Sequence, residues 1–121
     1  MKRRRPHRPE RLAALLHETL ATALTTQLKD PRIGFVTITG VQVTPDGQHA
    51  TVRFSVLGAD EDKARAVEAL EHARGFLRSH LATHLELRLT PELRFELDRG
   101  LEHARRIDEL LDGLRGEGDP A

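Results

Sequence analysis

Apolar residues recur at two spacings along the chain, and these spacings predict which segments are helices and which are strands. From Pro9 onward the leucines return every three or four positions, which is the period of an amphipathic helix. Pro9 suits the first turn, and Asp30-Pro31 should end the helix, because proline disfavours helical geometry in the residue before it. The leucines of this first predicted helix are Leu12, Leu15, Leu16, Leu20, Leu24 and Leu28.

The next segment changes to a period of two, which predicts a hairpin. Its apolar positions shift from Val36 and Ile38 to Val41 and Val43 across Gly40. One face of a strand cannot stay buried through such a shift unless the strand contains a bulge, so we expect a bulge at the glycine. After a turn at residues 44–47, the inward row of the second predicted strand is Ala50, Val52, Phe54 and Val56.

Residues 60–85 carry the longest helical pattern, and Asp60, Glu61 and Asp62 at its start suit the positive end of a helix. An unbroken helix would place Arg74 near the middle of the apolar stripe, where burying an unpaired guanidinium is very costly. Gly75 follows, and glycine inside a helix costs about 1 kcal/mol relative to alanine. We therefore predict two helices with a kink at Ala73-Arg74-Gly75. The stripe consists of Val67, Leu70, Leu77, Leu81 and Leu85.

Apolar and polar residues then alternate from 85 to 97, which predicts a third strand. Its apolar residues are Leu85, Leu87, Leu89, Leu93, Phe95 and Leu97. Pro91 cannot donate to a sheet, so this strand should lie at an edge or begin to pair late. The pattern predicts one α+β domain over residues 9–111, in the order α-β-β-α-α-β, with helices packed on one face of a three-stranded sheet. A weakly amphipathic helix at 101–111 ends this domain. A basic arm at 1–8 and a Gly/Pro/acid tail at 112–121, expected to be disordered, flank it.

Charge is divided unevenly along the chain although the net charge is zero. Residues 1–34 hold eight basic and three acidic side chains, whereas the remainder holds eleven and sixteen. The N-terminal part should therefore approach a polyanion first. Arginines bind phosphates in bidentate fashion, so the arm could contact several phosphates of a nucleic acid. A solvated terminus without function explains the same composition.

Several kinds of chemistry have no support in the sequence. Cysteine is absent, so there is no disulfide framework and no thiolate chemistry. There is no HExxH, GxSxG or Gly-rich phosphate loop, no secretory signal and no apolar run long enough for a membrane span. His80 and His84 are spaced i, i+4 and could share a metal ion with His103 or Glu86. Imidazoles that border a core explain the same spacing.

Aromatic residues are few, and they limit how the chain could read RNA. Trp and Tyr are absent, and Phe54 and Phe95 are expected in the core, so a stacking platform on the sheet is not expected. Phe35 and Phe76 are the only aromatics that could stack on bases, and packing in the core is the commoner fate of each.

Two motifs and the order of elements resemble the ribosome-binding factor A family, which has a type II KH-like fold. The first is Lys29-Asp30-Pro31-Arg32-Ile33-Gly34 followed by VTITGVQV at 36–43. The second is ARGFLR at 73–78 followed by LRLTPELRF at 87–95. The resemblance covers about residues 9–111. It implies a monomeric, cytoplasmic bacterial assembly factor that binds the free small (30S) ribosomal subunit. The family assists late maturation and 5′-end processing of 16S rRNA, acts in cold adaptation, and uses neither a cofactor nor catalysis.

In that family an Ala-x-Gly kink, here Ala73-Arg74-Gly75, stands where a standard KH domain has its GxxG loop. The resemblance leaves a general KH-like RNA-binding module without a ribosomal role as the alternative, and a metal-dependent enzyme built on His80 and His84 as a second. No catalytic or metal-binding residue is assigned. The expected RNA-binding residues flank the kink or cluster in the basic N-terminal part: Arg3, Arg4, Arg5, Arg8, Arg11, Lys29, Arg32, Arg74 and Arg78.

Overall fold

A three-stranded sheet covered on one face by two helices makes up residues 9–99, the part of the chain that the computed structural model describes. This architecture confirms the predicted α+β class. The predictions for the basic arm at 1–8, the helix at 101–111 and the tail at 112–121 lie outside the described residues. In chain order the elements are α1 (Pro9–Thr26), a 3-10 helix (Pro31–Ile33), β1 (Val36–Val43), β2 (His49–Val56), α2 (Asp60–Leu85) and β3 (Glu92–Leu97).

The strands lie in the order β1-β2-β3, so β2 is the central strand. β1 and β2 pair antiparallel, which confirms the predicted hairpin. β2 and β3 pair parallel, and α2 makes the crossover between them, as parallel neighbours require. The chain therefore enters β3 at the same end of the sheet at which it enters β2.

The predicted bulge in β1 is present. Ile38 lies opposite Phe54 and Gly40 lies opposite Arg53, so Thr39 is the extra residue. Ile38 before the bulge and Val43 after it are both buried. The extra residue corrects the phase of the apolar positions and keeps one face of the strand inward.

The core lies between the inner face of the sheet and the two helices. All four predicted residues of the β2 row are buried, as are four of the six predicted leucines of α1. Leu15 and Leu28 are half-buried. The buried helical residues are Leu12, Leu16, Leu20, Ala23 and Leu24 in α1, and Ala66, Ala69, Leu70, Leu77 and Leu81 in α2.

The segment after α1 differs from the prediction in detail. α1 ends at Thr26, before Asp30-Pro31, and the Gln27 and Leu28 N–H groups both donate to the Ala23 carbonyl. Asp30 instead starts the 3-10 helix, where its carboxylate accepts a hydrogen bond from the Arg32 N–H at 2.9 Å. Proline at the first position of this helix has no N–H to satisfy, which suits the start of a helix.

The predicted break in the second helical pattern is wrong. α2 is a single helix of 26 residues that runs through Ala73, Arg74 and Gly75. Arg74 does not enter the core: its side chain is 43% exposed and pairs with Glu71, one turn earlier. Ala73 packs against the core beside it. A long side chain at the edge of an apolar stripe can place its charge in water, so no break is needed.

The third strand begins late, as Pro91 predicts. β3 starts at Glu92, whose N–H donates to the Gln48 carbonyl at 2.8 Å. α2 extends to Leu85 and ends at Glu86, which has a left-handed backbone conformation. Residues 87–91 form an irregular connection between this helix and the strand. β3 is an edge strand, which is where a proline at the start is tolerated.

Continuity of α2 predicts that Gly75→Ala stabilises the protein. A Cβ at this glycine meets nothing within 4 Å, and alanine is favoured over glycine in a helix interior by about 0.5–1 kcal/mol. We expect the free energy of unfolding in urea to rise by about that amount.

Gly58→Ala is the matched comparison and should act in the opposite direction. Gly58 has a φ of 141°, and a Cβ there would lie 2.6 Å from an Asp62 carboxylate oxygen. That carboxylate accepts the Ala59 N–H at 2.8 Å at the start of α2. A Gly75→Ala variant less stable than the parent protein would contradict a continuous helix.

Candidate nucleic-acid interface

Five of the cations predicted to contact RNA lie within the described residues, and they are distributed over α1, the segment that follows it and α2. Arg11 and Lys29 are exposed, but they lie near opposite ends of α1. Arg74 and Arg78 are one turn apart on α2. Arg3, Arg4, Arg5 and Arg8 lie outside the described residues. Within residues 9–99, the basic side chains of the N-terminal part are therefore separated along the length of α1.

Arg32 is held by acidic groups of the protein itself. Its Nε lies 3.0 and 3.1 Å from the two Asp30 carboxylate oxygens, and its Nη2 lies 2.7 Å from Oδ2. Its Nη1 reaches Glu68 of α2 at 3.4 Å. The guanidinium thus joins the 3-10 helix to α2, and at most part of its hydrogen-bonding capacity remains for a phosphate.

The same contacts change the titration of Asp30. Hydrogen bonds from the Arg32 guanidinium and then from the Arg32 N–H lower the pKa of Asp30 from 3.8 to about 2, with the positive charges of Arg32 and His72 adding to the effect. A lowered pKa in the folded state means that the ionised carboxylate stabilises the fold. This contribution is complete above the ordinary pKa and is lost as the pH falls towards 2.

Asp30→Asn should therefore lower the melting temperature at neutral pH, by an amount that shrinks in acid. We expect the difference from the parent protein to be constant above about pH 5 and to close between about pH 4 and pH 2, because the parent carboxylate is then protonated as well. Melting curves across this range measure the difference. Glu10→Gln, at an exposed position in the first turn of α1, controls for the loss of one carboxylate. A difference that persists unchanged at pH 2 would contradict the role of the ionised Asp30.

Arg78 fixes the chain where it enters β3. Its Nη2 donates to the Thr90 carbonyl at 2.8 Å and its Nε donates to the Pro91 carbonyl at 3.1 Å. The Glu92 Oε2 atom lies 3.6 Å from Arg78 Nη2 and balances part of the guanidinium charge. This one side chain of Arg78 satisfies the carbonyls of the last two residues before β3. Arg78 therefore has a structural task in addition to any contact with RNA.

Arg78→Ala should lower the free energy of unfolding by about 1–2 kcal/mol, because two carbonyls lose a charged donor at a partly exposed site. Urea unfolding measures this loss. Arg74→Ala is the matched control on the same helix: its pair with Glu71 is local and half-exposed, so we expect a change within about 0.5 kcal/mol. Equal losses in the two variants would show that the carbonyl contacts of Arg78 do not stabilise β3.

An open groove of about 590 Å³ lies between the end of α1 and the start of β1. Five residues of the motif at 29–34 line it, with Leu24, Leu28, Val36 and Ile38 supplying apolar walls. Lys29 is exposed and places a positive charge at this groove. The first motif thus surrounds a concave surface next to the joint between the 3-10 helix and α2.

Aromatic side chains are arranged in a way that the sequence did not lead us to expect. Phe35 and Phe76 are 64% and 46% exposed, so neither belongs to the core. The rings of Phe76 and His80 stack with centroids 6.0 Å apart, and those of His80 and His84 stack at 4.8 Å. We call these three side chains the ring row. The i, i+4 spacing of His80 and His84, which suggested a metal site, is also the spacing at which helical side chains stack.

Within residues 9–99 no group of three or more histidine, aspartate or glutamate side chains is close enough to hold a metal ion. His103, the third ligand considered from the sequence, lies outside the described residues. The same part of the chain contains no helix that is both long and apolar enough to cross a membrane.

The arrangement defines a small α+β binding domain, with basic groups distributed along it and exposed rings on its longest helix. The family model of ribosome-binding factor A matches residues 8–111. A ribosome-binding factor A from Thermomicrobium roseum is 44% identical over 111 residues, which is 92% of this chain and 86% of that protein. The chain belongs to the ribosome-binding factor A family.

Solved structures agree with this assignment. The crystal structure of ribosome-binding factor A from Thermus thermophilus superimposes with a TM-score of 0.67 at 29% identity, over 76% of this chain and 97% of that one. A homology model of the Thermus thermophilus factor, fitted into the cryo-electron-microscopy map of a 30S–RbfA complex, has a TM-score of 0.61 and 30% identity. It covers 71% of this chain and 90% of that model.

Proposed function

We propose that this protein is a non-catalytic assembly factor that binds the free small ribosomal subunit as a monomer in the cytoplasm. It assists late maturation of 16S rRNA, including processing of the 5′ end, and it acts in cold adaptation. The observation that carries the proposal is the family match over residues 8–111, together with the shared fold of the Thermus thermophilus factor in the 30S–RbfA complex.

Electrostatics supply the mechanism of docking. The positive N-terminal part, from the arm through Arg11 to Lys29, meets the RNA, and the acidic remainder stays away from it or meets basic ribosomal proteins. Arg74 can add to this contact from α2 because its local ion pair is half-exposed. Arg32 and Arg78 contribute mainly by holding the surface in shape, since Arg32 bonds to Asp30 and Glu68 and Arg78 donates to two backbone carbonyls. Binding holds an immature RNA conformation until other factors complete it.

Neutralising Arg4, Arg5 and Arg8 together should weaken binding to free small subunits and flatten its dependence on salt. Each phosphate contact lowers log affinity by about 0.7–0.9 per decade of salt, so losing three contacts should reduce the slope by about 2–3. Co-sedimentation with purified small subunits, large subunits and whole ribosomes at several salt concentrations measures both quantities.

The control is a triple variant with the same change in charge, Arg65→Ala, Arg88→Ala and Arg94→Ala, at three exposed positions in the acidic part of the chain. We expect this control to bind small subunits with nearly the parental salt slope. Equal binding of the parent protein to small subunits and to whole ribosomes would contradict the proposed function. An unchanged slope in the Arg4/Arg5/Arg8 variant would remove the arm from the interface.

The alternative is a general RNA-binding module without a ribosomal role, which the exposed Phe76 and the two stacked imidazoles favour. Such a module would bind short unstructured RNAs as tightly as it binds small subunits. Competition between the two for the same protein distinguishes the alternatives.

A further inference from the structure

The ring row of Phe76, His80 and His84 occupies an exposed line along α2. Its centroid distances of 6.0 and 4.8 Å and interplanar angles of 24° and 23° are those of offset stacking. His84 is exposed and His80 is half-exposed, while Phe76 leaves 46% of its surface in water. The two end rings, Phe76 and His84, each have a face outside the stack.

The row is distinct from the parts of α2 that stabilise the fold. Leu70, Leu77 and Leu81 form the buried stripe of the helix, and Arg78 reaches towards β3. Stacking within one helix contributes only about 0.2–0.5 kcal/mol per pair, and this does not offset the unfavourable exposure of a phenylalanine ring. A single exposed apolar side chain is ordinary on a protein surface, so only the three stacked rings together, and not Phe76 alone, indicate a contact surface.

The composition of the row favours nucleic-acid bases over an apolar protein partner. Protein interfaces are typically centred on apolar or aromatic anchors in dry pockets, whereas two of these three rings are imidazoles with polar edges. Phe and His are side chains on which unpaired RNA bases stack, and imidazole nitrogens can also bond to base edges.

The start of the ring row lies near the contact between α2 and the 3-10 helix. His72 is exposed one turn before Phe76 on α2, outside the stack. Glu68, one turn further back, is already paired with Arg32. The ring row therefore begins about two turns after Glu68, whose ion pair with Arg32 connects α2 to the motif at residues 29–34.

We propose that Phe76, His80 and His84 form a stacking surface for unpaired bases of ribosomal RNA. The proposal rests on the proposed function and deepens it, because it assigns a base-contacting site to a factor whose other contacts are to phosphates. The site takes single-stranded nucleotides, since bases within a duplex have no exposed face.

The test compares variants that keep a ring with variants that remove one. Phe76→Leu and His84→Leu replace a ring with an aliphatic side chain of similar size and so remove stacking. Phe76→Tyr and His84→Phe keep an aromatic ring at the same position. Two probes are used with each protein: a short unstructured RNA containing 2-aminopurine, whose fluorescence reports stacking, and purified free small subunits. Circular dichroism confirms that α2 is intact in every variant.

We expect each leucine variant to bind both probes at least about five-fold more weakly and to lose the change in 2-aminopurine fluorescence, while the ring-retaining variants resemble the parent protein. Leu89→Ala is the control, because Leu89 is a large apolar side chain that is 54% exposed and lies outside the row. It should bind like the parent protein.

Parental binding of both probes by the leucine variants would overturn the proposal, and so would a loss of subunit binding without a change in the fluorescence signal. The latter result would show that the row contacts a ribosomal protein. If the parent protein failed to bind small subunits, the proposed function would fall, while the fluorescence signal of the RNA probe would still decide whether the ring row stacks on bases.

Discussion

The parallel pairing of β2 with β3 is the constraint on which the rest of the structure depends. Parallel neighbours need a crossover, and α2 is the only element between these two strands. Its 26 residues extend about 39 Å, whereas the eight residues of β2 extend about 26 Å. α2 is therefore long enough to cover the whole length of the central strand. The C-terminal half of α2 packs on the core through Leu77 and Leu81, and its exposed side carries the stacked rings of His80 and His84. Arg78 on the same helix ties down the chain that returns to the sheet.

Arginine has two tasks in this domain, and composition alone does not separate them. The sequence counts Arg32 and Arg78 among the cations available for RNA. The structure shows that Arg32 bonds to Asp30 and Glu68, and that Arg78 bonds to carbonyls 12 and 13 residues away. Arg32 holds the 3-10 helix against α2, and Arg78 holds the segment before β3 against it. The family motif at residues 29–34 is thus at least partly a structural motif: it builds the 3-10 helix and its ionic contacts, and these shape the groove beside Lys29.

What the sequence predicted well was local and periodic. The bulge next to Gly40, the inward row of β2 and the late start of β3 each follow from neighbouring residues on one element. The break at Arg74 was predicted wrongly because periodicity assigns a direction to a side chain but not its reach, and Arg74 pairs with Glu71 at the edge of the stripe. The partners of Arg78 come from another segment, so no local pattern could reveal them. The ring row did leave a signal, since residues 76, 80 and 84 are spaced by one helical turn, but the same spacing also fits a metal site.

A ribosomal subunit presents phosphates over its whole surface, so charge alone cannot direct a factor to one place or to one stage of assembly. Electrostatic attraction brings a basic domain to RNA quickly and weakens with salt. Stacking on unpaired bases has the opposite character, because it is short-ranged and depends on an open base rather than on a phosphate. A helix that combines cations with exposed rings would therefore bind best where the RNA is still unpaired. In the proposed mechanism, folding would draw those bases into helices and remove the stacking contribution while the phosphate contacts remained. The factor would then lose the part of its affinity that distinguishes immature RNA from mature RNA.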